Sequence, residues 1–503
     1  MKRRFLIVCM MCLCLTANAA RQRTHRMANG TIVRTTRSAT IHRSLSTPYT
    51  SWDPQKIYRV PVILVSFADC EFSVDHHQEF YKDLFNKSGF NLGLGPGCVA
   101  DYFRDQSRGQ FNVVFDVVGP IKLTTNQKSN RNLNFGENQF KEAIKAADEK
   151  LNYPDYDWNG DGNAESVIIV YAGYGGNEDN KKADGCIWPN TDSIYGFELD
   201  GVSIGQYSAS PELWTEDASC GIGTICHEFC HVLGLPDFYP TSGNEFSVLD
   251  EWDLMDGGNY ADNGWCPPNL SIHEREYLGW EEAEVLTNAK TISDMKSLNS
   301  GGKCYKIVND AYPSEYYLLE NRQWDGWDFM LPNHGLLIAH VDFNDNVWQG
   351  NYVNSTKSHH RFEYFHADDL DYNYYEEFYG DNTAPRGSDG RNLRLKNTTY
   401  PYVDAEGISH DSLTDTSVPA AMIFNPRSDG IKLMGKSITD IREEGDYVSF
   451  RFSDTSTGIA TISAHASPVA VYDLQGRRIT EPSSGIYIIK YSDGSTKKVI
   501  GNE

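Results

Sequence analysis

His227-Glu228-Phe229-Cys230-His231-Val232-Leu233-Gly234-Leu235-Pro236-Asp237 is the stretch on which the reading of this chain turns. On a helix, residues four apart lie one turn apart on one face, so both imidazoles can reach a single ion. The preceding Ala218 to Cys226 is mostly small or apolar and suits a buried helix. Gly234 suits a left-handed cap, after which the chain reverses and can bring back Asp237. Two histidines and one aspartate make three protein ligands with an open fourth position, the arrangement of a catalytic rather than a structural zinc. Glu228 stands beside the first histidine, where a carboxylate can act as general base for a zinc-activated water. Spacing alone leaves Glu320 and His340 as competitors for the third ligand.

Downstream, Trp252-Asp253-Leu254-Met255-Asp256-Gly257-Gly258 reads as a tight turn that places Met255 as an apolar floor under the metal. Tyr260 is a candidate donor to an oxyanion, with a buried structural tyrosine as the alternative. Upstream, Asp157-Trp158-Asn159-Gly160-Asp161-Gly162-Asn163-Ala164-Glu165 sets oxygen side chains at alternate positions around a glycine. Asp157, Asn159, Asp161 and Glu165, with the carbonyl of Asn163, form a candidate calcium loop. Ile168 stands where such a loop ends in glutamate, so an Asx-rich turn is the alternative reading.

The 503 residues exceed an ordinary single domain, and a formal charge of −24 opposes binding to a polyanion, so nucleic acid is excluded as a partner. Lys2, Arg3 and Arg4, the apolar run Phe5 to Leu15 and Ala17-Asn18-Ala19 read as an export signal over 1–19 that is too short to span a bilayer. Eight cysteines follow it, with no CxxC pair to support a structural zinc site, so disulfides or buried thiols are expected.

Residues 20–57, rich in Arg, Thr and Ser, read as a flexible leader or short propeptide. The folded core is expected over 58–300, opening on the β-branched run Val60 to Phe67. Helical periodicity follows at His76 to Phe85 and Val99 to Arg108, and strands are expected at Phe111 to Val118 and Ser166 to Tyr171. A β-rich continuation runs over 301–452, with strands at Tyr316 to Glu320 and Gly335 to His340, and an acidic aromatic stretch, Asp368 to Asp381, reads as a solvated loop. Residues 453–503 read as a linker and a small β-module with strands at Val469 to Arg477 and Gly485 to Lys490. The expected class is α+β.

Taken together, the motifs resemble the immune inhibitor A family of secreted bacterial zinc metallopeptidases, which are metzincin-like. The likeness extends from Val60 to Phe452. It includes Val99-Ala100-Asp101-Tyr102-Phe103, Gly109-Gln110-Phe111, the loop at 157–165, the helix motif, Trp252 to Met255, Tyr277-Leu278-Gly279-Trp280, Leu319-Glu320-Asn321-Arg322 and His340-Val341-Asp342. The resemblance implies a metzincin-like catalytic domain acting as an endopeptidase on protein or peptide substrates; zinc from the helix motif and calcium from the 157–165 loop are the expected cofactors, and a secreted monomer is expected. Cys230 departs from the resemblance, since such enzymes commonly carry glycine there. The tail from Val469 to Ile500 resembles the sorting domain of the type IX secretion system, which implies outer-membrane secretion machinery as a partner. Two rival classes are an adhesin with a silent site, against which Glu228 beside both histidines argues, and a calcium-stabilised surface protein, suggested by the acidic composition.

Overall fold

From Val60 to Val65 the chain offers water no polar side chain on either face, and in the computed structural model this run lies inside β1 (Ile57–Ser66), buried from Val60 onward. The structure describes residues 49–454 except 74, 76, 129–133, 178–181, 215–217, 242–247, 371–386 and 394, together with strands at Ala20–Arg26, Ile32–Ser38, Pro468–Asp473, Arg478–Ile479, Gly485–Tyr491 and Thr496–Gly501. The export signal at 1–19, most of the linker and most of the acidic stretch therefore lie outside the described residues.

β1 joins β2 (Asn112–Lys122), β3 (Val167–Tyr174), β4 (Asn190–Ser193) and β5 (Gln206–Leu213) in one sheet of order β2-β1-β3-β5-β4. All neighbours run parallel except the edge strand β4, which is antiparallel to β5. Parallel neighbours need long crossovers, and helices supply them. α1 (His77–Asn86) and α2 (Val99–Gln106) lie between β1 and β2, and α3 (Glu137–Ala147) between β2 and β3. The class is accordingly mixed α/β rather than the expected α+β, because a run buried on both faces belongs in a parallel sheet covered on both sides.

Alternation along the strands sorts the two faces. Val60, Val62 and Leu64 share a core with Tyr81, Phe85, Tyr102 and Phe103 of the first two helices and with Phe229 of the histidine helix. Ile63 and Val65 pack instead with Phe140 and Ile144 of α3.

The β-rich region is continuous with this core. The strands β7 (Tyr305–Val308), β8 (Glu315–Arg322), β9 (Gly335–Asp342) and β10 (Phe362–Tyr364) form a second sheet with Glu284–Val285 at its edge. Leu318, Leu337, Ala339 and Val341 belong to the same cluster as Phe229. Tyr317, Leu319 and Ile338 face the opposite way, toward a three-stranded sheet of β6 (Lys290–Met295), β12 (Tyr447–Asp454) and β11 (Lys436–Glu444). The boundary expected at residue 300 thus runs through one shared interior. The start moves as well, since Tyr49 and Trp52 of the expected leader pack on that interior, with the Trp52 and Phe111 ring centroids 4.8 Å apart. Ala20–Arg26 and Ile32–Ser38 pair as an antiparallel hairpin. In the tail, four strands rather than the expected two form an antiparallel sheet.

α5 (Ile272–Tyr277) is fastened to the second sheet by charge. Arg322, fully buried, donates to both oxygens of Asp328 at 2.7 and 2.6 Å, while Glu320 accepts the Ile272 N–H at 2.8 Å. No helix among the described residues is long and apolar enough to cross a membrane.

β9 also carries a buried imidazole between two acids. His340 donates from Nε2 to Glu315 at 2.9 Å and faces Glu363 through Nδ1 at 3.7 Å. His360 shares Glu363, and neighbouring Asp342 takes His359 and Arg361. Burial opposes charge on His340, yet its bonds to the two glutamates outweigh that and lift its pKa to about 9. A raised folded-state pKa means that this stabilisation is complete below about pH 6.5 and is lost as pH rises through about 9. Melting temperatures measured from pH 6 to 10 should fall more steeply for the parent than for His340→Gln, with a difference of roughly 3 kcal/mol across the window. Parallel curves would refute the charged state.

Candidate metal centre

The histidines sit on α4 (Gly223–Val232), all ten residues of which are buried. The helix starts against backbone: a Cβ at Gly223 would lie 2.0 Å from the Asn259 carbonyl oxygen, so no side chain fits there. It ends in a Schellman motif. Gly234, at φ +107°, donates its N–H to the His231 carbonyl at 3.1 Å, and Leu235 donates to the Cys230 carbonyl at 3.0 Å. The reversal turns the Leu235 carbonyl back toward the helix, where it accepts His231 Nδ1 at 2.7 Å. His227 Nδ1 likewise donates to the Leu254 carbonyl at 2.8 Å. A carbonyl can only accept, so both Nδ1 atoms carry the proton and both Nε2 atoms keep a lone pair.

Those lone pairs face the third side chain. Asp237 Oδ1 lies 3.3 Å from His227 Nε2 and 3.2 Å from His231 Nε2, is buried, and has no hydrogen-bond donor of its own. Its other oxygen accepts Asn351 Nδ2 at 2.9 Å, and its N–H donates to Asn351 Oδ1 at 2.7 Å. Burial works against charge on Asp237, but the imidazoles of His231 and His227 hold its carboxyl well below the usual range. Among the described residues, His227, His231 and Asp237 are the one set of three or more His, Cys, Asp or Glu side chains able to share an ion. Two imidazole nitrogens with fixed tautomers and an orphaned carboxylate oxygen are a donor set that fits zinc. Of the competitors, His340 is held by Glu315 and Glu363, and Glu320 by Arg322 and the Ile272 N–H.

Glu228, one residue past the first histidine, is buried, and its Oε2 accepts the Thr191 hydroxyl of edge strand β4 at 3.0 Å. The same hydroxyl lies 2.7 Å from the Glu228 main-chain carbonyl. Met255 is fully buried in the core that holds Phe229, and its carbonyl accepts the Phe238 N–H at 2.9 Å. Its turn is bound by acids: Asp253 accepts the Met255 N–H, and Asp256 accepts three N–H groups, from Val248, Leu249 and Asp250.

Other expected residues go elsewhere. Tyr260 tilts on Trp214, with ring centroids 5.4 Å apart, and its hydroxyl accepts Asn177 Nδ2. Tyr239, which the motif reading passed over, lies parallel to the His227 ring at 6.5 Å. Cys230 is fully buried in the main core, and all eight described cysteines are free thiols. The 157–165 loop closes on itself. Asp157 accepts N–H groups from Gly160, Asp161 and Gly162, Asn159 accepts from Asp161, Asp161 accepts from Asn163, and Glu165 accepts from Trp158. Among the described residues its carboxylates do not gather into an ion-sized set, so the calcium expectation finds no support. Thr191 and Asn351 carry no local sequence signal, because each meets the motif from a distant part of the chain.

Among known proteins, one named Immune inhibitor A, from Bacillus thuringiensis subsp. alesti, is 26% identical over 269 residues. The alignment covers 44% of this chain and 39% of that protein, so the chain spans about two fifths of its relative's length. Residues 61–281, which hold His227, Glu228, His231, Asp237 and Met255, match the family model described as Immune inhibitor A peptidase M6, catalytic domain.

Proposed function

We propose that this chain is an exported zinc metalloendopeptidase that hydrolyses protein or peptide substrates, with Glu228 as general base and His227, His231 and Asp237 as metal ligands. One observation carries the reading: two imidazole lone pairs and an unpaired carboxylate oxygen meet at one buried point, with a second carboxylate next along the helix. Held there, zinc supplies the Lewis acidity that makes a water nucleophilic near neutral pH. Glu228 takes the proton of the attacking water on its carboxylate and returns it to the departing amine. Thr191 restrains one oxygen of that carboxylate, leaving the other to carry the proton. The carbonyls of Leu254 and Leu235 keep each imidazole in the ligating tautomer throughout the cycle. Support for export comes from the basic and apolar start of the sequence, and support for a sorting role of the tail from its four-stranded antiparallel sheet beyond a polar linker.

Cleavage of casein by the purified protein should be abolished by a chelator and restored by zinc. Glu228→Gln should lose about 10²- to 10⁴-fold in kcat while still binding zinc, and unchanged cleavage would sink the mechanism. Thr191→Val keeps the shape and removes the hydroxyl; a drop in kcat of about tenfold with KM unchanged is expected, from the loss of a hydrogen bond to a charged group. Zinc titration of Asp237→Ala decides the third ligand, since tight binding retained in that variant would exclude it.

A further inference from the structure

Asn351 lies 114 residues beyond Asp237 and outside the segment 61–281 that matches the peptidase family. It follows α6 (Asp345–Gln349), with φ at +58°, in the left-handed region that asparagine and glycine tolerate best. Its side-chain amide spends both ends on one residue: Oδ1 accepts the Asp237 N–H at 2.7 Å and Nδ2 donates to Asp237 Oδ2 at 2.9 Å. The pair of bonds closes a ring that fixes both the peptide of Asp237 and the rotation of its carboxylate. With Oδ2 occupied, Oδ1 alone remains, aimed between the two Nε2 atoms.

The surrounding loop repeats the attachment. Thr241 donates its hydroxyl to the Asn351 carbonyl and its N–H to Ser355 Oγ at 3.1 Å, and Asn354 Nδ2 donates to the Phe238 carbonyl at 2.8 Å. The segment that follows the histidine helix is therefore gripped along residues 237–241 by a loop of the β-rich region.

We propose that Asn351 is a positioning residue for the metal centre, holding Asp237 as a one-oxygen ligand so that zinc affinity depends on the β-rich half of the chain. The inference rests on Asp237 being the third zinc ligand. Without the amide, Asp237 must be immobilised at the moment of binding, and the free oxygen competes for water and for neighbouring N–H groups. The loss falls on affinity rather than on folding, because the left-handed backbone at this position suits glycine as well as asparagine.

The experiment measures zinc dissociation constants by chelator competition, alongside melting curves with and without zinc, for the full chain and for Asn351→Gly and Asn351→Asp. Asn351→Gly should keep the metal-free melting temperature within a few degrees, weaken zinc by about 10- to 100-fold, and shrink the thermal shift on adding zinc. Asn351→Asp puts a carboxylate against Asp237 Oδ2 and should weaken zinc further. If Asn351→Gly does not fold, the near-isosteric Asn351→Asp decides alone, with a loss of at least tenfold expected. A folded variant that binds zinc within about twofold of the parent overturns the inference. A parent chain that does not bind zinc would overturn the functional reading itself, whereas Asp237→Ala binding as tightly as the parent would overturn the third ligand and this inference with it, leaving the two histidines.

Discussion

The candidate metal centre depends on two main-chain carbonyls. An imidazole has two nitrogens and chooses between them by whatever meets the other one, so the carbonyls of Leu254 and Leu235 decide which way His227 and His231 point their lone pairs. Each carbonyl is itself placed by a turn with a specific cause. Leu235 is placed by the Schellman reversal at Gly234, and Leu254 by a loop whose N–H groups converge on the carboxylates of Asp253 and Asp256. Burial and the nearby Glu274 push the Asp253 carboxyl well above its usual range, a sign of how little water reaches the underside of this turn. The acids of the Trp252 to Asp256 stretch are thus three steps from the metal, through turn, carbonyl and ring.

The second sheet supplies the outer frame. One of its faces completes the hydrophobic interior around Phe229; Glu320 accepts the Ile272 N–H at the start of α5, while Arg322 forks onto Asp328 and donates to the Asn269 carbonyl just before that helix. At zero exposure such a pair adds little over an apolar filling, whereas either partner left alone costs about 3–5 kcal/mol. Its contribution is therefore one of placement: α5 and the loop before it have one allowed seat, against which the Met255 turn packs.

Local features were legible in the sequence because their causes are local. The two histidines, the glycine cap and the return of Asp237 lie within eleven residues, and strands such as Val60 to Phe67 announce their burial by composition. Direction and partnership were not legible. Nothing in a β-branched run says whether its neighbour is parallel, and the strand-like runs beyond residue 300 do not reveal that they pack into one interior with the residues before them. Thr191 and Asn351 are ordinary polar residues until a fold brings them 37 and 114 positions along the chain to Glu228 and Asp237. The Asp157 to Glu165 loop is local too: its oxygens have the spacing of a cation site, and peptide groups of the same loop donate to them.

The grip of the 351–355 loop on residues 237–241 also has a meaning in time. A ribosome that has just delivered Asp237 has produced both histidines and the helix between them, yet the amide that orients the aspartate is still unmade. Closing a contact over so many residues carries a loop-entropy cost that the later sheets must offset before it forms. A growing chain therefore holds the histidine motif without its completed surroundings, and the Asn351 bonds to Asp237 form only when the polypeptide has been made well past its middle.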